Sequence, residues 1–236
     1  MKGIIHHSLF TIQYGPKPRH RCVVLRRLTH SLADWLSPRM KLRTDLILAS
    51  QSPRRRHLLE QIGFTFRVEP SPFQETIRED GHPADIVREL ALAKAEPVSR
   101  RFPSALTLGA DTVVVHEGSV LGKPTDEAEA RAMLRRLSGE THTVFTGLAL
   151  LHPASDRRVT AYEATHVTFD ALSDEEIRAY VASGAPMDKA GAYGIQGDLG
   201  AVFVTRIEGD FYTVMGLPLN RLYRLLHDHF PDLVVL

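Results

Sequence analysis

Cysteine is nearly absent from this chain: Cys22 is the single one in 236 residues. One thiol cannot close an internal disulfide and leaves no cysteine pair for a structural metal site, so a disulfide scaffold is excluded and a reducing compartment, the cytoplasm, is expected. Long apolar runs are lacking too. The longest, such as 113–115 and 148–151, fall far short of the roughly 20 residues that a membrane-spanning helix needs, which points to a soluble protein with no membrane partner. Gly-x-x-x-x-Gly-Lys-[Ser/Thr], the kinase-type glycine loop and His-Glu-x-x-His are also missing. The two familiar routes of γ-phosphoryl transfer are thereby disfavoured.

What is present is ordinary globular composition, 43% hydrophobic and 24% charged, long enough for one large domain or two small lobes. The net charge of +1 conceals an asymmetry. Before Met40 the basic residues Lys2, Lys17, Arg19, Arg21, Arg26, Arg27 and Arg39 are opposed only by Asp34, so the rest of the chain is mildly acidic. Such a leader suits a transit peptide or a nucleic-acid arm. The blander reading, that translation starts at Met40, is preferred because a strand-like run and a motif begin within a few residues of it. The expected organisation is a basic extension over 1–40 and one domain over 41–236. Nucleic-acid binding ranks last among the functional readings, since the body is acidic.

From Asp45 onward, short apolar runs alternate with helical periodicity, the pattern of an α/β or α+β domain. Residues 46–49 read as a strand. Ser52-Pro53 then supplies an N-cap and a first-turn proline ahead of an apolar face of Leu58, Leu59 and Ile62, with Gly63 as the stop. A second helix is predicted from Pro83, with Ile86, Leu90 and Ala93 inward. Residues 106–115 read as a buried strand ending in a Glu117-Gly118 turn, and a third helix is predicted from Thr125 to Gly139. Strands are expected over 143–151 and 162–169, and Ser173 to Glu176 is a capping box. A hairpin is predicted from 201–207 and 211–215, turned at Glu208-Gly209-Asp210. The last helix is expected over 218–227.

Three features break these local rules. Arg54, Arg55 and Arg56 place three cations in the first turn of a helix, where the exposed N–H groups favour anions and each misplaced charge costs a few tenths to about 1 kcal/mol. A bound polyphosphate would compensate, through free N–H groups and bidentate arginine; side chains splayed into water are the alternative. Asp111 sits between two apolar triplets, where a charge is expensive unless paired or metal-bound; an aspartate capping a local turn beside Gly109 is the alternative. Lys94 falls on the buried stripe of its helix, as catalytic placement or as a snorkelling side chain. Lys123, in Leu121-Gly122-Lys123-Pro124, and Glu75 are weaker candidates alone. Together these cations and two carboxylates suit a triphosphate, because phosphoryl chemistry is mostly positioning and charge neutralisation. The segment 191–197 does not follow a strand and open a helix, so it is not a dinucleotide fingerprint, but it could approach a base closely.

The stretches 48–55, 109–114, Gly122-Lys123-Pro124, 137–142, 188–197 and 214–219 occur in an order that resembles the Maf family of nucleotide pyrophosphatases, also called septum formation inhibitors. Gln51 and Asp198-Leu199 depart from the family pattern. The resemblance implies an elongated, inosine-triphosphatase-like mixed sheet with flanking helices and a central cleft between two lobes, assembled as a homodimer. It implies a divalent cation, Mg²⁺ or Mn²⁺, and hydrolysis of a nucleoside triphosphate to the monophosphate and diphosphate. By motif, Asp111 is similar to the catalytic proton acceptor and Glu75, with Asp111, to the metal-associated carboxylates. Ser52, Arg55, Lys94 and Lys123 are similar to the phosphate-handling residues. Arg54, Thr112 and Gln196 match the specificity positions of the branch acting on dTTP and UTP. A neutral uracil or thymine suits an amide that both donates and accepts, whereas a methylated, cationic guanine favours stacking and a carboxylate. Hydrolysis of 7-methyl-GTP or another modified nucleotide, and a non-catalytic nucleotide-binding regulator of septum formation, remain as alternatives.

Overall fold

The computed structural model describes residues 40–73 and 81–235. The basic leader and Glu75 lie outside the described residues. In chain order β1 (Lys41–Leu42), β2 (Leu46–Leu48), α1 (Pro53–Gln61), β3 (Arg67–Val68), α2 (Pro83–Arg101), β4 (Leu106–His116) and β5 (Ser119–Leu121) form the first half. The second half comprises α3 (Glu127–Leu137), β6 (Thr141–His152), β7 (Arg157–Phe169), α4 (Asp174–Ala182), α5 (Asp198–Val202), β8 (Val204–Glu208), α6 (Phe211–Met215), α7 (Leu219–His229) and β9 (Val234–Val235).

The main sheet is mixed and open, in the order β3-β2-β4-β6-β7-β8, with β5 folded back on β4. β2 runs parallel to β3 and β4, whereas β4, β6, β7 and β8 are antiparallel neighbours. The expected α/β class, a mixed sheet with flanking helices, is therefore what the chain adopts. β4 is buried along nearly all its length, which is why it reads as a continuous apolar run rather than an alternating one. The tight β4–β5 turn places Glu117 and Gly118 at positive φ, 48° and 75°, the left-handed geometry that a two-residue hairpin demands. Among the described residues no helix is long and apolar enough to cross a membrane.

One packing contact positions the site. A Cβ on Gly109 of β4 would lie 2.2 Å from the Ala91 carbonyl oxygen, and one on Gly147 of β6 would lie 2.1 Å from the Val87 carbonyl oxygen. No side chain fits there, so the two glycines cut a notch into which the backbone of α2 settles. Ala91, Ala95 and Ala149, all fully buried, complete this thin interface. The inward face of α2 therefore comprises Ile86, Val87, Leu90, Ala91, Lys94, Ala95 and Val98. Ala93, expected inward, is only partly buried, because the glycine notch selects the Ala91 side of the helix.

Other expectations change in detail. α3 begins at Glu127, not Thr125, because Asp126 is its cap and accepts from Glu129 N at 2.8 Å. The predicted hairpin does not form. β8 pairs with β7, and Asp210 Oδ1 accepts from Tyr212 N at 3.0 Å, so the chain restarts as α6 instead of returning as a strand. Gly209, at φ 131°, presses so closely on Thr165 that an added Cβ would lie 2.7 Å from its hydroxyl oxygen. The residues 208–210 are thus a junction of strand and helix cap rather than a strand reversal.

Candidate active site

Most of the sequence-identified residues meet in one cleft of about 470 Å³. Its lining includes Ser52, Arg54, Arg55, Lys94, Asp111, Thr112, Lys123 and Gln196. Glu75 is the exception and lies outside the described residues. The volume is in the range of small-molecule sites, about 300–1,000 Å³.

The cleft floor is built from β4 and α2. Asp111 lies in the middle of β4, opposite Gly147 of β6. It is 5% exposed, and its Oδ1 accepts a hydrogen bond from the Lys94 ammonium. The glycine notch explains this meeting. Gly109 and Asp111 share one face of β4, two residues apart, and Ala91 and Lys94 share one face of α2, three apart. Seating Ala91 on Gly109 therefore places Lys94 beside Asp111. A buried charge that stays buried is paired, and this one is.

The α1 end supplies the arginines. Ser52 caps the helix, its hydroxyl oxygen accepting from Arg55 N at 3.5 Å, and Pro53 occupies the first turn. Arg55 turns inward and is 9% exposed. Its Nε donates to the Gly216 carbonyl at 2.8 Å, Nη1 to Ser50 Oγ at 3.2 Å and Nη2 to Thr112 Oγ1 at 3.2 Å. Arg54 reaches across the cleft mouth, donating to Asp188 Oδ2 at 2.9 Å. Arg56 is exposed. Of the three cations expected to require an anion, Arg54 and Arg55 are thus compensated in part by the protein itself, and Arg56 is solvated.

Asp188 and Lys189 belong to the 188–197 stretch, and neither was expected to act in the site. Both line the cleft, and Lys189 Nζ donates to Asp188 Oδ1 at 2.6 Å. Burial works against ionisation of Asp188, but hydrogen bonds from Lys189 and Arg54 hold its carboxyl below the usual carboxylate range. Lys189 also packs against Gly194, where an added Cβ would lie 2.7 Å from its Cε. Arg54, Asp188 and Lys189 therefore tie the helix end to the glycine-punctuated loop that carries Gln196. That loop runs close to β4: Gly191 sits at φ 68° with Val114 about 3 Å from any added Cβ, and its N–H donates to the Gly122 carbonyl at 3.0 Å. The second bond fixes the turn presenting Lys123, which is exposed at the cleft and has no ion-pair partner among the described residues.

Tyr193, another lining residue, is braced from behind. Its hydroxyl meets His142 Nε2 at 2.8 Å, and both rings pack edge-on against Phe169. Burial, with His116 nearby, lowers the His142 pKa to about 4, so the imidazole is neutral at neutral pH. Burial and the nearby Tyr180 raise that of Tyr193, which keeps its phenol protonated.

The charge balance of the lining decides what the cleft can hold. Five cationic side chains, Arg54, Arg55, Lys94, Lys123 and Lys189, stand against the carboxylates Asp111 and Asp188. A positive recess of this kind in an otherwise acidic body attracts a compact polyanion. Among the described residues no three His, Cys, Asp or Glu side chains cluster to hold a metal by themselves.

The fold and cleft define an α/β protein with a polyanion site, and sequence comparison places it more narrowly. The family model described as Maf-like protein matches residues 45–229, and the chain belongs to the Maf family. The dTTP/UTP pyrophosphatase of Salinibacter ruber is 55% identical over 199 residues, covering 84% of this chain and 98% of that protein. The dTTP/UTP pyrophosphatase of a Bacillus cereus strain is 54% identical over 181 residues, covering 77% and 93%. A solved structure of the Staphylococcus aureus Ham1 protein aligns with a TM-score of 0.38 at 13% identity, over 53% of this chain and 71% of that one.

Proposed function

We propose that this chain is a nucleoside triphosphate pyrophosphatase that hydrolyses dTTP and UTP to the nucleoside monophosphate and diphosphate. The names of its relatives support the substrate. The observation that carries the reading is the convergence of Arg54, Arg55, Lys94, Lys123 and Asp111 on one cleft.

In this reading Asp111 accepts the proton of a water that attacks the α-phosphorus, while Lys94 holds the carboxylate in place and balances its charge. Lys123 and the arginines neutralise charge as diphosphate leaves. A divalent cation, Mg²⁺ or Mn²⁺, fits the residues present: Mg²⁺ is commonly held by one or two carboxylates together with substrate phosphates, and Asp111 faces the cleft where the phosphates would lie. Asp111 would hold it, with Glu75 as a second carboxylate. When bound, it would supply positive charge that offsets the charge of the phosphates. Gln196, exposed on the cleft wall, reads the base edge, and Thr112 and Arg54 complete the selective surface. The protein acts in the cytoplasm as a homodimer, an assembly testable by sedimentation.

Side-by-side kinetics on dTTP, UTP, 7-methyl-GTP and ITP test the substrate assignment. The expected order places dTTP and UTP first, and Gln196→Glu lowers kcat/KM on both by about tenfold through loss of one amide donor, worth roughly 1.4 kcal/mol. Preference for 7-methyl-GTP would assign the cleft to modified nucleotides instead. An unchanged profile in Gln196→Glu would remove Gln196 from base recognition.

A further inference from the structure

Thr146 lies on β6, outside the motif positions, and is fully buried at the back of the cleft. Its Oγ1 is 2.9 Å from Thr112 Oγ1 and 2.8 Å from the Thr213 carbonyl oxygen. A carbonyl only accepts, so the single Thr146 hydroxyl proton is committed to Thr213. Thr112 must then donate its own proton to Thr146. Arg55 Nη2, which only donates, points at Thr112 Oγ1 from the other side at 3.2 Å. The direction of every bond is thereby settled: Arg55 to Thr112, Thr112 to Thr146, Thr146 to Thr213.

The chain closes on itself. Arg55 Nε donates to the Gly216 carbonyl at 2.8 Å, and Gly216 N donates to Thr213 O at 3.0 Å, so the paths from Nε and from Nη2 end on the same turn of α6. Gly216, at φ 99°, allows that turn to come close, since an added Cβ would lie 3.2 Å from Thr112 Oγ1.

We infer that Thr146 is a positioning residue for phosphate binding, one that fixes the hydrogen-bond polarity of Thr112 and through it the setting of the Arg55 guanidinium. This rests on the reading of the cleft as a triphosphate site. A second consequence concerns Thr112 itself. With its proton spent on Thr146, it offers the cleft only a lone pair, so a substrate group that reaches it must be a donor.

Two measurements separate this inference from its parent. The first titrates inorganic triphosphate into the protein calorimetrically and needs no turnover. Thr146→Val, nearly isosteric, is expected to weaken triphosphate binding about tenfold, Thr146→Ser to bring it back within about threefold of the original, and Thr112→Val with Thr146→Val to bind no worse than Thr112→Val alone. The second follows dTTP hydrolysis, where Thr146→Val should raise KM about tenfold with kcat within about threefold. Unchanged triphosphate affinity in Thr146→Val, failure of Thr146→Ser to restore it, or additive effects in the double variant would overturn the inference whether or not dTTP is a substrate. Should Thr146→Val not fold, Thr112→Val, at the cleft surface, breaks the same chain one link earlier and must weaken triphosphate binding to the same extent. Absence of dTTP turnover alongside intact triphosphate binding would instead count against the parent reading alone.

Discussion

Removing the Lys94 ammonium tests whether the α2 and β4 contact carries the buried charge pair that the site depends on. Lys94→Met keeps the length and apolar stem of the side chain but leaves the buried Asp111 carboxylate without the cation that donates to it. Breaking a buried ion pair by deleting one partner costs about 3–5 kcal/mol. Here the side chains retain 11% and 8% exposure at the floor of an open cleft, so water offsets part of the loss and the lower end, about 3 kcal/mol, is expected. For a domain of this size about 2–4 °C of melting temperature is lost per kcal/mol, giving a drop of roughly 6–12 °C. Lys94→Met with Asp111→Asn removes both charges together. Its stability should recover by about 2 kcal/mol relative to the sum of the single effects. Urea unfolding of the four proteins reads this directly. A loss under about 1 kcal/mol in Lys94→Met, or simple additivity in the double variant, would refute the reasoning.

Gly147→Ala drives a methyl to within 2.1 Å of the Val87 carbonyl oxygen, so α2 must move off the sheet. A loss of about 1–3 kcal/mol is expected from such overpacking, with reduced turnover as Lys94 shifts from Asp111; an unchanged urea midpoint would deny the notch its role. His142 gives the pH dependence. Its folded pKa, about 4, lies below the unfolded value near 6.5, so below that pH the unfolded chain binds a proton that the folded chain does not. Stability should therefore be full above about pH 6.5 and fall by about 1.4 kcal/mol per unit towards pH 4, then level off in this contribution. His142→Gln should flatten that slope, as read by unfolding at pH 7.5 and 5; an identical slope in the variant would locate the dependence elsewhere.

Much of this was legible in the residues because it rests on short-range rules. Ser52-Pro53 marks its helix, Ser173 and Glu176 form the capping box they spell, and Glu117-Gly118 makes the turn its glycine suggests. Family motifs located the cleft residues, and the structure brings the described ones together. What could not be read depends on contacts distant in sequence. The notch of Gly109 and Gly147 shows itself only when α2 lies on the sheet, and it decided that Ala91 faces inward and Ala93 does not. Phe211, Tyr212 and Val214 have strand-like composition, yet Asp210 caps them as a helix once β8 takes its place beside β7. Thr146 looked like any strand threonine. Its meaning comes from Thr112 and Thr213, 34 and 67 residues away in sequence. A cation at a helix start, such as Arg54, calls for a carboxylate partner, but nothing in the sequence identifies Asp188, 134 residues away, as that partner.

The most direct test of the central claim is the identity of the products released from dTTP in the presence of Mg²⁺, resolved by ion-exchange chromatography. Thymidine monophosphate and inorganic diphosphate in equal amounts, lost together in Asp111→Asn, is the expected result. Thymidine diphosphate with orthophosphate would contradict attack at the α-phosphorus and the role given to Asp111.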